Sequence, residues 1–189
     1  IASPDLTNIP FLKYIARKGK PIILSTGMGT LEEVIEGVNT IRSQGNQDLV
    51  VLHCTSNYPC PLEEVNLRAM QTIQRECNVL IGYSDHTEDP IIAPVAAIVK
   101  GAKIIEKHIT FDKKLPGADQ RFALNPEQLK QMVKAIRETE NKIKHNQKVE
   151  VDPVVLGSYE KKPTEIELYV RNFAYRSVFA TKNIKEGEK

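Results

Sequence analysis

The stretch AKIIEKHI, residues 102–109, decides how the chain is read. Its apolar start, Ile104-Ile105, runs straight into Glu106, Lys107 and His108. A buried strand does not ordinarily end in three ionisable groups, because burying charge is costly unless it is partnered. The preceding apolar run ends in the same manner: IGYSDHT, residues 81–87, closes on Ser84, Asp85 and His86. Two strands that each finish in polar residues with a histidine point to a site built at strand ends.

Working outward, four short apolar runs stand out: PIILST (21–26), LVVLHCT (49–55), VLIGYS (79–84) and AKIIEKHI (102–109). None shows the alternation of a half-wetted strand, so each reads as a strand covered on both faces. Helical patterns lie between them. Thr30-Leu31-Glu32-Glu33 is a capping box, and Leu31, Val34, Ile35, Val38 and Ile41 keep helical spacing up to a stop at Gly45. Residues 66–76 and 91–100 are the next helical candidates. Asn125-Pro126-Glu127 opens a last helix with a cap, a first-turn proline and an acid, and Leu129, Met132, Val133, Ile136 and Ile143 form its expected buried stripe. With Ile23, Val51, Ile81 and Ile105 as strand centres, the steps are 28, 30 and 24 residues. That repeat is a βα unit, which demands parallel strands. No GxGxxG or GxxxxGK[ST] follows a strand, which weakens a nucleotide-binding doubly wound sheet. Polar clusters follow every strand instead, at the end where barrels carry active sites. The expected fold is therefore α/β, the C-terminal half of a (β/α)8 barrel, with earlier strands upstream of Ile1. Residues 148–172 read as a linker of weak periodicity, and 173–189 as the start of a small β module. Both ends read as cuts through a longer protein.

Composition excludes several classes. The chain has 189 residues, is 41% hydrophobic and 6% aromatic, and carries 26 Lys+Arg against 24 Asp+Glu. That balance, with its basic residues scattered, argues against nucleic acid or a membrane surface as partner. No run has the length of a membrane span or the pattern of a signal peptide. Cys54, Cys60 and Cys77 form neither a CxxC pair nor an even disulfide framework, pointing to a reducing cytoplasm.

Side chains alternate along a strand, so Ile104, Glu106 and His108 share one face, and Gly82, Ser84 and His86 share one on the strand before. Adjacent parallel strands lie about 4.8 Å apart. His86 and His108 can therefore reach one ion, with Glu106 beside it and positions open to water, a donor set suited to Mn²⁺ or Zn²⁺. A single histidine reads better as a hydrogen-bonded polar residue at a strand end, whereas two on consecutive strands, each with acids beside it, bring the two readings level. Ser25, Ser56, Tyr58 and Ser84 lie at or just past strand ends, where hydroxyls hold phosphate or simply cap turns. Lys107 has the opposite parity to Glu106 and His108, which favours an ion pair over a Schiff base. Cys54 reads as a small buried residue, and Asp119, in LPGADQ, as a loop acid over a barrel mouth or a solvated turn.

GKPIILSTGM, HCTSNYP, NLRAM, GYSDHT, GAKIIEKHIT and LPGAD occur in an order that resembles the sialic acid synthase family. RSVFATKNIKEGE resembles the opening of its antifreeze-like (SAF) domain. The resemblance implies a carbon–carbon bond-forming transferase that condenses phosphoenolpyruvate with N-acetylmannosamine or a related amino sugar to a nine-carbon 2-keto acid. It implies His86 and His108 as ligands of a catalytic Mn²⁺, or of Mg²⁺ or Co²⁺ in its place. Ser3, Ser25 and Ser84 match groups holding the phosphoenolpyruvate phosphate and carboxylate; Tyr58 and Asp119 match residues at the acceptor end, and Glu106 an acid close to the metal. Asp5 stands where members often carry glutamate, and Ser56 where some carry asparagine, departures that bear on the acceptor. ADQRFAL likewise differs from the PDH often seen in that loop. A domain-swapped homodimer in the cytoplasm is implied as well. A Schiff-base aldolase on the same barrel and a non-catalytic sugar- or metal-binding scaffold are the alternatives.

Overall fold

The computed structural model describes residues 1–188. Its centre is a four-stranded parallel sheet in sequential order, built from β1 (Ile22–Ser25), β2 (Leu49–Cys54), β3 (Leu80–Asp85) and β4 (Ile105–Lys107). The register pairs Ser25 with Leu52, Cys54 with Ser84, and Ser84 with Glu106. α1 (Ile9–Ala16) precedes the sheet, while α2 (Leu31–Arg42), α3 (Arg68–Cys77) and α4 (Ile92–Val99) connect the strands. α5 (Pro126–Lys144) and α6 (Glu165–Ala174) follow it. Sequential parallel strands joined by helices are the half-barrel that the spacing of the apolar runs predicts.

The two faces of the sheet differ. Leu24, Val51, Ile81 and Tyr83 sit in one core with Val34, Val38 and Ile41 of α2, Met70 and Ile73 of α3, and Ala93, Ala96 and Ala97 of α4. On the opposite face the upstream strand ends are open, with Ile23 41% and Leu80 56% exposed. Toward the downstream ends that same face closes, and Leu52, Cys54 and Ser84 are buried. Gly82 is required there, since an added Cβ would lie 2.7 Å from the Ile104 carbonyl oxygen.

Local signals set the helix boundaries. Thr30 Oγ1 accepts from Glu33 N at 3.3 Å and Glu33 Oε2 accepts from Thr30 N at 2.8 Å, the reciprocal capping box read from the sequence. Asn125 and Gln128 cap α5 in the same way. α5 packs through Leu129, Met132 and Ile136 on Ile98 and Ile105. Val133 and Ile143, expected in that stripe, are each 43% exposed, because they lie outside the face of α5 that packs on α4. β4 spans only three of the eight residues in its apolar run; past it, Leu124 N donates to the His108 carbonyl at 2.9 Å and Thr110 N to the Leu124 carbonyl at 2.9 Å.

The stretch read as a linker, 148–172, carries structure of its own. A 3-10 turn at Pro153–Val155 is followed by α6, whose capping box joins Thr164 and Glu167. Residues 176–188 form turns and irregular backbone, with Val178, Phe179 and Ile184 exposed. Lys189, last residue of the expected β module, lies outside the described residues. Among the described residues no helix is long and apolar enough to cross a membrane.

Candidate active site

The parity that buries Tyr83, Asp85 and Lys107 against the helices turns Cys54, Ser84 and Glu106 to the opposite face. There they line a cavity of about 310 Å³ with Ser3, Ser25, Met28, Ser56, Tyr58, His86 and His108. Eight of the ten residues singled out from the sequence thus share one cavity. Asp5 does not line it: its carboxylate accepts from Asn8 Nδ2 at 3.1 Å and lies 3.5 Å from Arg176 Nε. Asp119 stands on the rim, its side chain 60% exposed and its Oδ2 3.7 Å from His108 Nδ1.

Ser84 Oγ donates to Glu106 Oε1 at 2.6 Å, coupling the hydroxyl of β3 to the acid of β4. Two residues further along each strand lie the histidines, whose ring centroids are 5.4 Å apart. The Tyr58 ring packs on both, 4.1 Å from His86 and 5.8 Å from His108, and Phe122 closes the aromatic cluster 5.5 Å from His108. His86 Nδ1 lies 2.7 Å from the Thr55 carbonyl oxygen, so the proton sits on Nδ1 and the Nε2 lone pair is left for another partner.

A resident cation fits this arrangement. The His86 ring is held by a backbone carbonyl in the tautomer that ligation needs, and His108 faces it across the same cavity. Among the described residues no group of three His, Cys, Asp or Glu is placed to hold an ion. Of the described residues, the two imidazoles are the ones that could serve a cation in this cavity.

Electrostatics distinguish the two rings. Burial pulls His86 down, but the Cys54 sulfur 3.7 Å from Nδ1 and the Thr55 carbonyl outweigh it and raise its pKa. Burial and the positive field of His86 lower that of His108, against the opposing pull of Asp119. Burial would raise the Cys54 thiol, but His86, Ser25 and Lys161 together bring it below its ordinary value. Burial is the main cause of the raised Tyr58 phenol. Behind the site, Lys107 Nζ pairs with Asp85 Oδ2 at 2.7 Å, with the side chains 3% and 0% exposed. Lys107 is an ion-pair residue, as its parity indicates.

Sequence reasoning missed the contribution of the C-terminal segment and undervalued Cys54, which is buried yet forms part of the cavity wall. Val170 and Ala174 of α6 line the cavity, and the buried Glu167 carboxylate accepts from Met28 N and Ser56 N at 2.7 Å each. The box Thr164-x-x-Glu167 was the available signal for this helix.

The NeuB family matches residues 1–148. The chain is 46% identical over 189 residues to the spore coat polysaccharide biosynthesis protein SpsE of Bacillus subtilis, covering 100% of this chain and 51% of that protein. Superposition on the crystal structure of that protein gives a TM-score of 0.91 over 96% of this chain and 51% of the other. The N,N'-diacetyllegionaminic acid synthase of Legionella pneumophila is 42% identical over 191 residues, covering 99% of this chain and 50% of the relative. The crystal structure of the N-acetylneuraminic acid (sialic acid) synthetase of Leptospira borgpetersenii gives a TM-score of 0.69 at 32% identity, over 92% of this chain and 56% of that one. The chain spans about half the length of the curated relatives it matches.

Proposed function

The chain belongs to the NeuB family, the sialic acid synthases, and from that premise we propose that it forms the downstream half of the catalytic barrel of a nonulosonic acid synthase. The proposed reaction joins phosphoenolpyruvate to N-acetylmannosamine or a related amino sugar, giving a nine-carbon 2-keto acid and phosphate. One observation carries this reading: His86, His108 and the Ser84–Glu106 pair converge on one cavity in a chain of this family.

In the proposed mechanism, His86 and His108 hold a divalent cation, Mn²⁺ or a substitute such as Mg²⁺ or Co²⁺. When bound it supplies Lewis-acid polarisation of the sugar's C1 aldehyde. Ser3, Ser25 and Ser84 bind the phosphate and carboxylate of the enolpyruvate, with Ser56 and Tyr58 toward the sugar. C3 of the enolpyruvate attacks C1 of the aldehyde, and water adds at C2. Glu106, oriented by Ser84, takes the proton released by that water and passes it to the aldehyde oxygen, which becomes a hydroxyl. Cleavage of the bond from C2 to the phosphate oxygen then expels phosphate, which takes up the proton of the C2 hydroxyl, and leaves the ketone. Asp119 stays at the rim, positioning His108 and the sugar. The rings of Tyr58, Phe122, His86 and His108 pack against one another and form an aromatic wall beside the reacting carbons.

The proposal extends to the whole protein. Residues 1–147 belong to the barrel, 148–172 connect it, and 173–189 open an SAF module that serves a domain-swapped homodimer in the cytoplasm. The free Cys54, Cys60 and Cys77 support that compartment. The Schiff-base alternative is disfavoured by the engagement of Lys107 with Asp85. Incubating the intact protein with phosphoenolpyruvate and each of N-acetylmannosamine and the legionaminic and pseudaminic acid precursors tests the proposal. One acceptor should give a product of the condensed mass with equimolar phosphate, lost to chelator and restored by Mn²⁺. Absence of phosphate release with all three would overturn it.

A further inference from the structure

The loops after β1 and β2 present backbone amides toward the strand ends, an arrangement that attracts anions. In this chain an internal anion takes them. Glu167 Oε1 accepts from Met28 N and from Ser56 N at 2.7 Å each, while Oε2 accepts from Thr164 N at 2.9 Å. One carboxylate therefore ties three segments together, and it is buried, 1% exposed. Lys161, 4% exposed, supplies the compensating positive field, and its own carbonyl accepts from Leu31 N at the start of α2. One turn beyond Glu167, Arg171 donates to the Met28 carbonyl at 2.8 Å and forks onto Glu33 at 3.0 and 2.6 Å. The β1 loop is thus gripped at both its amide and its carbonyl, from a helix more than a hundred residues away in sequence.

We propose that Glu167 is a positioning residue, which clamps the β1 and β2 loops and so sets the placement of Ser56, of Ser3 through its bond from Gly27 N, and of the α6 wall formed by Val170 and Ala174. Its effect on catalysis rests on the function proposed above; its effect on the loops does not. Through Ser3 the clamp acts on the part of the cavity assigned to the anionic substrate, and through Ser56 on the part toward the sugar, so its loss weakens binding of both substrates more than turnover.

Amide hydrogen exchange and steady-state kinetics on the intact protein carrying Glu167→Gln or Glu167→Ala provide the test. Glutamine keeps a carbonyl oxygen for the capping box, so that variant decides the matter should the alanine variant not fold. Exchange at Met28 and Ser56 should rise about tenfold, while Val51 and Ile81 in the core strands keep their protection. KM for phosphoenolpyruvate and for the acceptor sugar should each rise about tenfold with kcat within about twofold, and glutamine should be milder than alanine. Unchanged exchange at Met28 and Ser56, a uniform rise across the core strands, or a local rise with unchanged KM would each overturn the proposal. If the wild-type protein shows no synthase turnover, the functional reading falls and the exchange pattern alone decides the clamp.

Discussion

Replacing Lys107 with methionine removes the ammonium from a buried pair while keeping most of the side-chain volume. The carboxylate it leaves behind, Asp85, is fully buried, and Lys107 Nζ lies 2.7 Å from its Oδ2. Asp85 retains two donors on Oδ1, the Thr87 amide at 2.9 Å and the Tyr83 hydroxyl at 3.2 Å, whereas the Thr87 carbonyl loses its bond from Lys107. Breaking a buried pair from one side costs about 3–5 kcal/mol. The two retained hydrogen bonds place Lys107→Met near the lower bound, about 3 kcal/mol. Adding Asp85→Asn removes the stranded charge and should recover about 1–2 kcal/mol of that loss. Urea unfolding of the wild type and the single and double variants measures all three. A loss below about 1 kcal/mol in Lys107→Met, the range of an exposed pair, would refute the reasoning. The consequence reaches the cavity, because Lys107 and Asp85 directly adjoin His108 and His86 in sequence and fix the ends of β4 and β3.

Two further variants probe other parts of the structure. His53 is buried neutral, Nε2 donating to the Val65 carbonyl at 2.9 Å, and burial together with the field of Lys161 pushes its pKa down to about 3. Below an unfolded pKa of about 6.5 the unfolded chain takes the proton and the folded chain does not, so stability falls with falling pH down to about pH 3. Between pH 7 and pH 5 the wild type should lose about 2 kcal/mol more than His53→Gln in urea unfolding; equal losses would contradict this. In Gly27→Ala, the new Cβ would lie 2.1 Å from Ser56 Oγ and 2.9 Å from Ser3 Oγ. Both hydroxyls can swing away, so the protein should fold while kcat/KM falls on the order of 10²-fold, and unchanged kinetics would refute the placement of these serines.

The strands and their parity were legible because a parallel strand covered on both faces must be a short apolar run, and because a two-residue period fixes which side chains share a face. From Ser84, Glu106, His86 and His108 alone, that period brings four cavity residues together. The α6 contribution was not legible, for a physical reason: this helix is fastened by a carboxylate on loop amides and an arginine on a carboxylate. Its large apolar residues point elsewhere, with Leu168 52%, Tyr169 66% and Phe173 68% exposed. A reading based on apolar stripes is drawn to the wrong face of such a helix. The same bias placed Val133 and Ile143 in the core of α5. Asp5 was expected at the site because it stands where members of the family often carry glutamate, but the turn at Ser3–Asp5 directs its carboxylate to Asn8 instead.

Everything proposed about the chemistry depends on two imidazoles from neighbouring strands serving one cation. Mn²⁺ binding to the intact protein, followed by the loss of the free-ion electron paramagnetic resonance signal, measures that directly. One ion per chain should bind, and His86→Ala and His108→Ala should each weaken it more than about a hundredfold while leaving the fold intact. Wild-type affinity in both variants would contradict the account.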